Sequence, residues 1–211
     1  MSNSRILYHF PLSPNAVKVL AVLHHLGADF EERIVDLTKN ETHTPEYLKI
    51  NPNGLMPTLV EGDFVLWESN AIIQYVAEGT DLVPGDARSR AELTRWMSWQ
   101  LAHWGAALAT MTFEPLAPKF FPGYQTDHAA VAKATEKFAR YAPVLNAHLA
   151  TRQFALGEHL SIADFALAAP LVHAGIVGIS LEAYPHIAAW NAWIQALPAW
   201  QKARPAMPVA S

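Results

Sequence analysis

Hydrophobic positions along the chain follow two patterns, one in each half. Up to about residue 80, strand-like runs alternate with helical spacing and turn residues in the order β-α-β-α-β-β-α. This order predicts a small α/β domain. The predicted elements are a strand over Arg5 to Phe10, a helix over Asn15 to Leu26, a strand over Glu31 to Val35, a short helix from Thr44, strands over Thr58 to Val60 and Phe64 to Trp67, and a helix over Ser69 to Glu78.

From Ala87 onward the hydrophobic spacing is helical. Residues 81–86 fit neither pattern and are predicted to be a linker, which gives domains at residues 1–80 and 87–211. The second domain is predicted to begin with one long helix through Met111, which is ended by Pro115, Pro118 and Pro122. A helix over His128 to Ala150, kinked at Pro143, follows it. Further helices are predicted over Ser161 to Val172, near Val177 to Leu181 and over Pro185 to Leu197, and the tail over Pro198 to Ser211 is predicted to be irregular.

The composition narrows the classes of protein to which this chain can belong. Of its 211 residues, 51% are hydrophobic and 16% are charged, which is enough apolar surface for a substantial core. The formal net charge is −4 without a long run of one sign, which argues against a nucleic-acid partner. No apolar run is long enough to span a membrane, and the N-terminus lacks the pattern of a signal peptide. We therefore expect a cytoplasmic protein.

The absence of cysteine limits the chemistry further. The chain has no disulfide, no thiolate metal site and no thiol nucleophile of its own. Its histidines lack the His-Glu-x-x-His spacing, and we expect no metal. If the reaction involves sulfur, the sulfur must arrive with a ligand.

The stretch FPLSPNAVKV places a hydroxyl at a turn between a strand and a helix. Ser13 is either a helix cap, with Pro14 at the first helical position, or a donor to the thiolate of a ligand. Lowering the pKa of a free thiol from about 8.5 to about 7 takes roughly 2 kcal/mol. One hydrogen bond to a charged group supplies about 1.5–3 kcal/mol, so a single donor is sufficient. Ser13 and Asn15 are both candidates for this donor.

Two further stretches have the chemistry to hold a peptide-like ligand. In NGLMPTL, a cis Met56-Pro57 bond would turn the Met56 backbone toward a ligand, whereas an ordinary trans proline would simply start a strand. In WESNAIIQYVAE, Glu68 and Ser69 stand where a strand ends and a helix begins. Ser69 can receive a carboxylate and Glu68 can pair with an ammonium, or the two residues only cap the helix.

The order and spacing of these stretches resemble the glutathione transferases over about residues 5 to 200. GEHLSIADFALAAPL resembles the buried capping box of that family, in which Ser161 and Asp164 bracket the start of a core helix. AYPHIAAWNAWIQALPAW resembles the last helix of the family. The resemblance implies a thioredoxin-like N-terminal domain, an all-helical C-terminal domain and a structural rather than catalytic role for Asp164.

The resemblance also implies roles in binding glutathione as a co-substrate. Ser13 aligns with the thiol-activating serine of the phi-, theta- and zeta-like transferases. Asn15 aligns with a sulfur-binding residue of a bacterial group that has a Thr-Pro-Asn segment. The Met56 backbone would pair with the cysteinyl part of glutathione beside a cis Pro57.

Three further residues complete the implied site. Glu68 and Ser69 would bind the γ-glutamyl end of glutathione, and His43 falls near the position of a basic group for the glycine carboxylate. Leu55 departs from the family, which usually has Lys, Gln or Arg at that position. We expect the departure to remove one hydrogen bond to the peptide, worth about 1 kcal/mol.

An acceptor substrate is expected between the Ser13 turn and the first long helix of the second domain. An aromatic and methionine lining would suit a small apolar electrophile. Each of these side chains is also a candidate for core packing, and His103 either polarises an acceptor or is an interior histidine. The candidates are Phe10, Leu12, His103, Trp104, Ala107, Leu108, Met111, Phe113 and the C-terminal tail.

Three functions are consistent with the sequence. The leading one is an enzyme that adds the glutathione thiolate to apolar electrophiles, as in detoxification. The second is glutathione-dependent reduction of disulfides or peroxides, which the Ser-Pro-Asn spacing keeps open. The third is a non-catalytic binding protein with the same fold. The resemblance also implies a homodimer.

Overall fold

The computed structural model describes residues 5–204, whose contacts form two units. The first unit comprises residues 5–76 together with 196–204, and the second comprises residues 77–195. Residues 196–204 thus belong with the first unit, whereas the sequence-based division placed them in the second domain, over residues 87–211.

A mixed four-stranded sheet forms the centre of the first unit. The strands stand in the order β2-β1-β3-β4, with β1 parallel to β2 and antiparallel to β3, and β3 antiparallel to β4. The predicted order β-α-β-α-β-β-α is confirmed. The elements are β1 (Arg5–His9), α1 (Pro14–His25), β2 (Glu31–Ile34), α2 (Pro45–Ile50), β3 (Thr58–Glu61), β4 (Phe64–Trp67) and α3 (Ser69–Ala77), with short 3₁₀ turns at Leu37–Lys39 and Glu41–His43.

Helices account for the regular structure of the second unit, as predicted. They are α4 (Ala87–Trp99), α5 (Gly105–Phe120), α6 (His128–Leu149), α7 (Ile162–Ala168) and α8 (Pro185–Ala196), with a 3₁₀ turn at Ala169–Leu171. The predicted bounds of α6 are confirmed to within one residue, and Pro143 lies inside the helix. Within residues 5–204, no helix combines the length and the apolar character that crossing a membrane requires.

The predicted long helix is interrupted by a π-helical turn over Gln100–Trp104, which separates α4 from α5. The Gly105 N–H donates to the Gln100 carbonyl across this turn. A β-carbon at Gly105 would overlap the Gln100 side-chain amide, so only glycine fits there without a shift. A hydrophobic pattern with helical spacing does not reveal this turn, because its residues continue the same spacing.

Pro115 and Pro118 lie inside α5, whereas the sequence pattern predicted that they end the helix. A proline within a helix leaves the carbonyl four residues earlier without its usual donor. For Pro118 that carbonyl belongs to Glu114, and the Thr126 hydroxyl donates to it at 3.0 Å. The Glu114 carboxylate also accepts from the Asp127 N–H at 2.8 Å. The loop after α5 therefore replaces the lost hydrogen bond.

Asp164 anchors the core of the second unit, and the predicted capping box is confirmed. Its fully buried carboxylate accepts hydrogen bonds from the Ala155 N–H at 2.8 Å and from the Trp190 indole at 3.0 Å. The Ser161 N–H and hydroxyl donate to its other oxygen at 2.9 and 2.8 Å. Burial raises the pKa of the Asp164 carboxyl, and the four donors oppose that effect. These contacts account for Asp164 without any catalytic role.

Two predictions near the C-terminus were wrong. Residues 177–181 form a turn and irregular chain rather than a short helix. The tail was predicted to be irregular, but Pro198–Ala203 form α9, which packs against α1. Pro198 is at the start of that helix, where the missing N–H costs nothing. The rest of the predicted tail, residues 205–211, lies outside the described residues.

Candidate functional site

The strand register brings the three candidate stretches to one end of the sheet. Tyr8 of β1 pairs with Thr58 of β3, and Thr58 pairs with Trp67 of β4. The end of β1, the start of β3 and the end of β4 therefore lie at the same end of the sheet, where neighbouring strands are about 4.8 Å apart. The three stretches adjoin these positions, so the sheet places them side by side.

Ser13 caps α1, and its hydroxyl proton remains available. Its Oγ accepts from the Ala16 N–H at 3.4 Å, which is long for such a hydrogen bond. The oxygen acts as an acceptor in that contact, so the hydroxyl proton can be donated to the sulfur of a ligand. The two interpretations of Ser13, as a cap and as a donor, are therefore compatible. Asn15 lies exposed in the first turn of the same helix, whose N-terminus favours a negative charge.

The backbone next to Met56 is held by buried polar side chains. The Met56-Pro57 bond is cis. The Leu55 carbonyl accepts from the Tyr47 hydroxyl and from the Asn51 amide, both at 2.7 Å. The same two groups contact the Thr58 hydroxyl at 3.0 and 3.1 Å. This cluster fixes the chain on both sides of Met56, while the Leu55 side chain is exposed.

The supporting roles of Tyr47 and Asn51 were not predicted from the sequence. Asn51 stands in the segment Asn-Pro-Asn-Gly, whose composition is typical of a turn and gives no indication of a contact with Leu55. Its amide oxygen does accept from the Asn53 N–H at 3.1 Å, which stabilises that turn. The contact with Leu55 depends on tertiary packing and has no local signal.

Glu68 has a left-handed backbone at the junction between β4 and α3. Its φ is 73°, a conformation that costs a non-glycine residue energy and persists where the surroundings impose it. The Glu68 carbonyl accepts from the Ile72 N–H at 2.9 Å, which makes Glu68 the cap of α3. Ser69, only 6% exposed, is the first residue of that helix. Its first turn presents backbone N–H groups suited to a carboxylate.

Lys18 of α1 is a buried charged residue that sequence analysis also missed. It is completely buried, and its Nζ donates to Asn70 Oδ1 of α3 at 2.6 Å. Burial lowers the pKa of Lys18 to about 7, and the charge of Glu68 opposes this shift. A lysine inside an otherwise apolar run of α1 was the available signal.

His43 lies against the turn that precedes Met56. A β-carbon at Gly54 would stand 2.9 Å from His43 Nε2, so the imidazole is in contact with that turn. The His43 ring is exposed, and its Nδ1 lies 3.0 Å from the Thr42 hydroxyl. Among residues 5–204, no three or more His, Asp and Glu side chains are grouped so as to hold a metal ion.

Three of the predicted acceptor-binding residues are core residues of the second unit. Trp104, Ala107 and Leu108 have at most 1% of their surface exposed. The Trp104 indole N–H donates to the Leu167 carbonyl at 2.9 Å, which satisfies its only polar atom. The prediction that these side chains line a substrate pocket is therefore not supported, because none of them presents surface to a ligand.

The other predicted acceptor-binding residues are accessible. Phe10 and Leu12 are partly buried in the first unit, just before the cap of α1. In the second unit, His103 and Met111 are partly buried, and Phe113 is 49% exposed. The His103 ring stacks on Tyr141 with 4.8 Å between ring centroids.

Known proteins match nearly the whole chain. Residues 4–78 match the family model "Glutathione S-transferase, N-terminal domain", and residues 106–198 match "Glutathione S-transferase, C-terminal domain". Glutathione S-transferase 3 of Zea mays is 40% identical over 215 residues, covering 96% of this chain and 94% of that protein.

Solved structures agree with this comparison. A glutathione S-transferase-I bound with the ligand lactoylglutathione superposes with a TM-score of 0.86 at 29% identity, over 95% of this chain and 98% of that one. A Burkholderia graminis glutathione transferase with two glutathione molecules bound per subunit has a TM-score of 0.85 at 28% identity, over 99% of this chain and 90% of that one. The predicted fold class, a thioredoxin-like domain followed by a helical domain, is confirmed.

Proposed function

Because the chain belongs to the glutathione S-transferase family and is a glutathione transferase, we propose that its first unit binds glutathione beside Ser13, Met56 and Ser69. The observation that supports this proposal most directly is the register of the sheet, which brings the turns around these residues to one end of the sheet. The Ser69 end of the site takes the γ-glutamyl group, the Met56 backbone pairs with the cysteinyl part, and the Ser13 hydroxyl meets the sulfur.

The proposed reaction is the conjugation of glutathione to a small apolar electrophile. The thiol loses its proton to solvent, and the Ser13 hydroxyl donates a hydrogen bond to the resulting thiolate at the N-terminus of α1. The thiolate then forms a carbon–sulfur bond, and the electron pair of the broken bond leaves with the departing group. The protein supplies thiolate stabilisation and proximity, so no base on the chain is required.

Ser13→Ala is expected to return the thiol pKa of bound glutathione from about 7 to about 8.5, because the donor to the sulfur is lost. The pKa is measured from the ultraviolet absorbance of the thiolate against pH, and conjugation is followed with an aryl halide. We expect the kcat/KM near neutral pH to fall by about tenfold or more, the equivalent of one hydrogen bond to a charged group. Ser13→Thr is the control, since it keeps the hydroxyl. An unchanged thiol pKa in Ser13→Ala would remove Ser13 from the mechanism.

Asn15 carries the second candidate function, glutathione-dependent reduction of disulfides or peroxides. The Burkholderia graminis structure holds two glutathione molecules per subunit. This observation supports the second function, because such a reduction uses two glutathiones. If Asn15→Ala rather than Ser13→Ala returns the thiol pKa to about 8.5, the reductase function becomes the better assignment. Activity with a glutathione mixed disulfide, compared with aryl-halide conjugation, is the matching assay.

Ser69→Ala is expected to weaken the binding of glutathione by about tenfold without changing the pKa of its thiol. The substitution removes a hydroxyl at the N-terminus of α3, where the γ-glutamyl carboxylate is proposed to bind. Titration calorimetry measures the affinity, and Ser89→Ala on α4 is a matched control. An affinity equal to that of the wild type would argue against this placement of the γ-glutamyl group.

Assembly, acceptor and location are further parts of the proposal. An apolar acceptor is supported by Phe10 and Leu12, which are only partly buried just before the cap of α1. A homodimer is supported by exposed aromatic side chains at Phe64 and Trp67. Size-exclusion chromatography with light scattering tests the dimer. A cytoplasmic location and a role in detoxification follow as expectations from the same proposal.

A further inference from the structure

Lys18 is costly to bury, and its packing alone gives no reason for a charge. An ammonium group loses its hydration when buried, and well-packed apolar side chains in its place are often neutral or stabilising. Lys18 nevertheless has no exposed surface, and it interrupts the run of apolar side chains along α1. Its presence therefore calls for a role other than filling the core.

The contact of Lys18 points to that role. Its Nζ donates to Asn70 Oδ1 at 2.6 Å, and Asn70 is the residue directly after Ser69. Lys18 follows Ser13 by five residues, which is about 7.5 Å along a helix. Helix α1 therefore has two contacts with the proposed site. Its start positions the Ser13 hydroxyl for the sulfur, and its buried Lys18 side chain holds the first turn of α3, where the γ-glutamyl group is proposed to bind.

We propose that Lys18 is a positioning residue for glutathione, which fixes the first turn of α3 through Asn70 and adds a buried positive charge for the γ-glutamyl carboxylate. The inference rests on the proposed binding of glutathione at Ser69. Lys18 touches neither the sulfur nor the acceptor, so it acts on the affinity for glutathione rather than on the chemical step. Asn70 is 8% exposed and transmits the effect.

The charges around Lys18 define a pH signature. Glu68, in the turn before α3, is the group whose charge acts on the ammonium, and burial lowers the pKa of Lys18 to about 7. His9 on β1 is paired with Glu32 at 3.0 Å, and Lys202 on α9 acts on His24 at the far end of α1. A bound carboxylate favours the charged form of Lys18, so binding takes up a proton at a pH above about 7. The affinity for the ligand should therefore decrease as the pH rises through that value.

The test measures the affinity for S-methylglutathione, which has the same peptide groups but no ionisable sulfur. Titration calorimetry is performed at about pH 6 and about pH 8.5 on the wild type and on Lys18→Met, which keeps an unbranched side chain one atom shorter than lysine and removes its charge. We expect Lys18→Met to bind about tenfold more weakly at the lower pH. We also expect the wild type to lose affinity between the two values relative to Lys18→Met. The titration of the ligand's own amine cancels in that comparison.

Two further variants separate positioning from simple loss of packing. Val22→Ala removes a fully buried apolar side chain from α1, one turn after Lys18, and should bind S-methylglutathione like the wild type. Asn70→Ala removes the acceptor of the Lys18 hydrogen bond and should weaken binding in the same direction as Lys18→Met. This variant also provides a result if Lys18→Met does not fold.

The outcomes distinguish this inference from the proposed site. If Ser69→Ala weakens binding but Lys18→Met and Asn70→Ala do not, the role of Lys18 is overturned and the glutathione site stands. The same conclusion holds if Val22→Ala weakens binding as much as Lys18→Met. If the wild type does not bind S-methylglutathione, both proposals are overturned. If Ser69→Ala binds like the wild type, the placement of the γ-glutamyl group at Ser69 is overturned, and the role of Lys18 falls with it.

Discussion

Asp164→Ala is expected to lower the free energy of unfolding by about 4 kcal/mol, the largest loss from any single substitution considered for this chain. The substitution removes the acceptor of four hydrogen bonds in the core of the second unit. Three backbone or indole N–H groups would be left buried without their acceptor, and each unsatisfied group costs about 1–3 kcal/mol. Chemical denaturation at a fixed pH measures the loss.

Asp86→Ala is the matched control for this prediction. Asp86 also caps a helix of the same chain, and its carboxylate accepts from the Arg88 and Ser89 N–H groups at 3.1 and 3.0 Å. It is exposed, so water replaces the lost acceptor and the expected cost is about 1 kcal/mol. If the Asp164→Ala variant does not fold, Trp190→Phe, which removes one of the four donors, keeps the comparison measurable. Equal losses for Asp164→Ala and Asp86→Ala would show that burial adds nothing to the capping box.

The first unit could be predicted closely from sequence because its elements are short and have local signals at their ends. Ser13 followed by Pro14 marked the start of α1, and Thr44 followed by Pro45 marked the start of α2. The order of the strands in the sheet has no such local signal. That order depends on which strands pair across the chain, so it was seen only in the structure.

The prolines of the second half show where local patterns were insufficient. Pro118 was predicted to end a helix, but Thr126 supplies the donor that the proline lacks, from a loop that the pattern does not connect to α5. Pro198 was counted as part of an irregular tail, yet a proline at the first position is a helix-start signal that the sequence did contain. The first error was unavoidable without tertiary contacts, whereas the second was not.

In the candidate site, too, some residues have a local sequence signal and others depend on tertiary contacts. Ser13, Glu68 and Ser69 stand at junctions between elements, where residue type and position together suggest chemistry. Tyr47, Asn51 and Lys18 act through contacts with residues distant in sequence or on other elements, so spacing alone does not identify them. The residues that would touch glutathione were thus easier to predict than those that hold them in place.

Lys18 also carries the second large prediction, a pH dependence of stability. The pKa of a lysine is ordinarily 10.5, and burial lowers that of Lys18 to about 7. Between these two values the unfolded chain binds a proton that the folded chain gives up. The free energy of unfolding should therefore rise with pH in this window, at about 1.4 kcal/mol per pH unit. Below a pH of about 7 both states are protonated, and the full cost of burying the charge is present.

Lys18→Met isolates this contribution from those of all other groups. Between about pH 7.5 and about pH 9, the wild type should gain about 2 kcal/mol of stability relative to the variant. The histidines with shifted pKa values, His9, His24, His25 and His148, are all lowered from 6.5 and titrate below this range in the folded protein. Denaturation curves for the two proteins at four pH values provide the measurement. Parallel stability profiles would mean that the folded protein keeps the Lys18 ammonium charged throughout the range, and a converging pair would establish a buried lysine that titrates near neutrality.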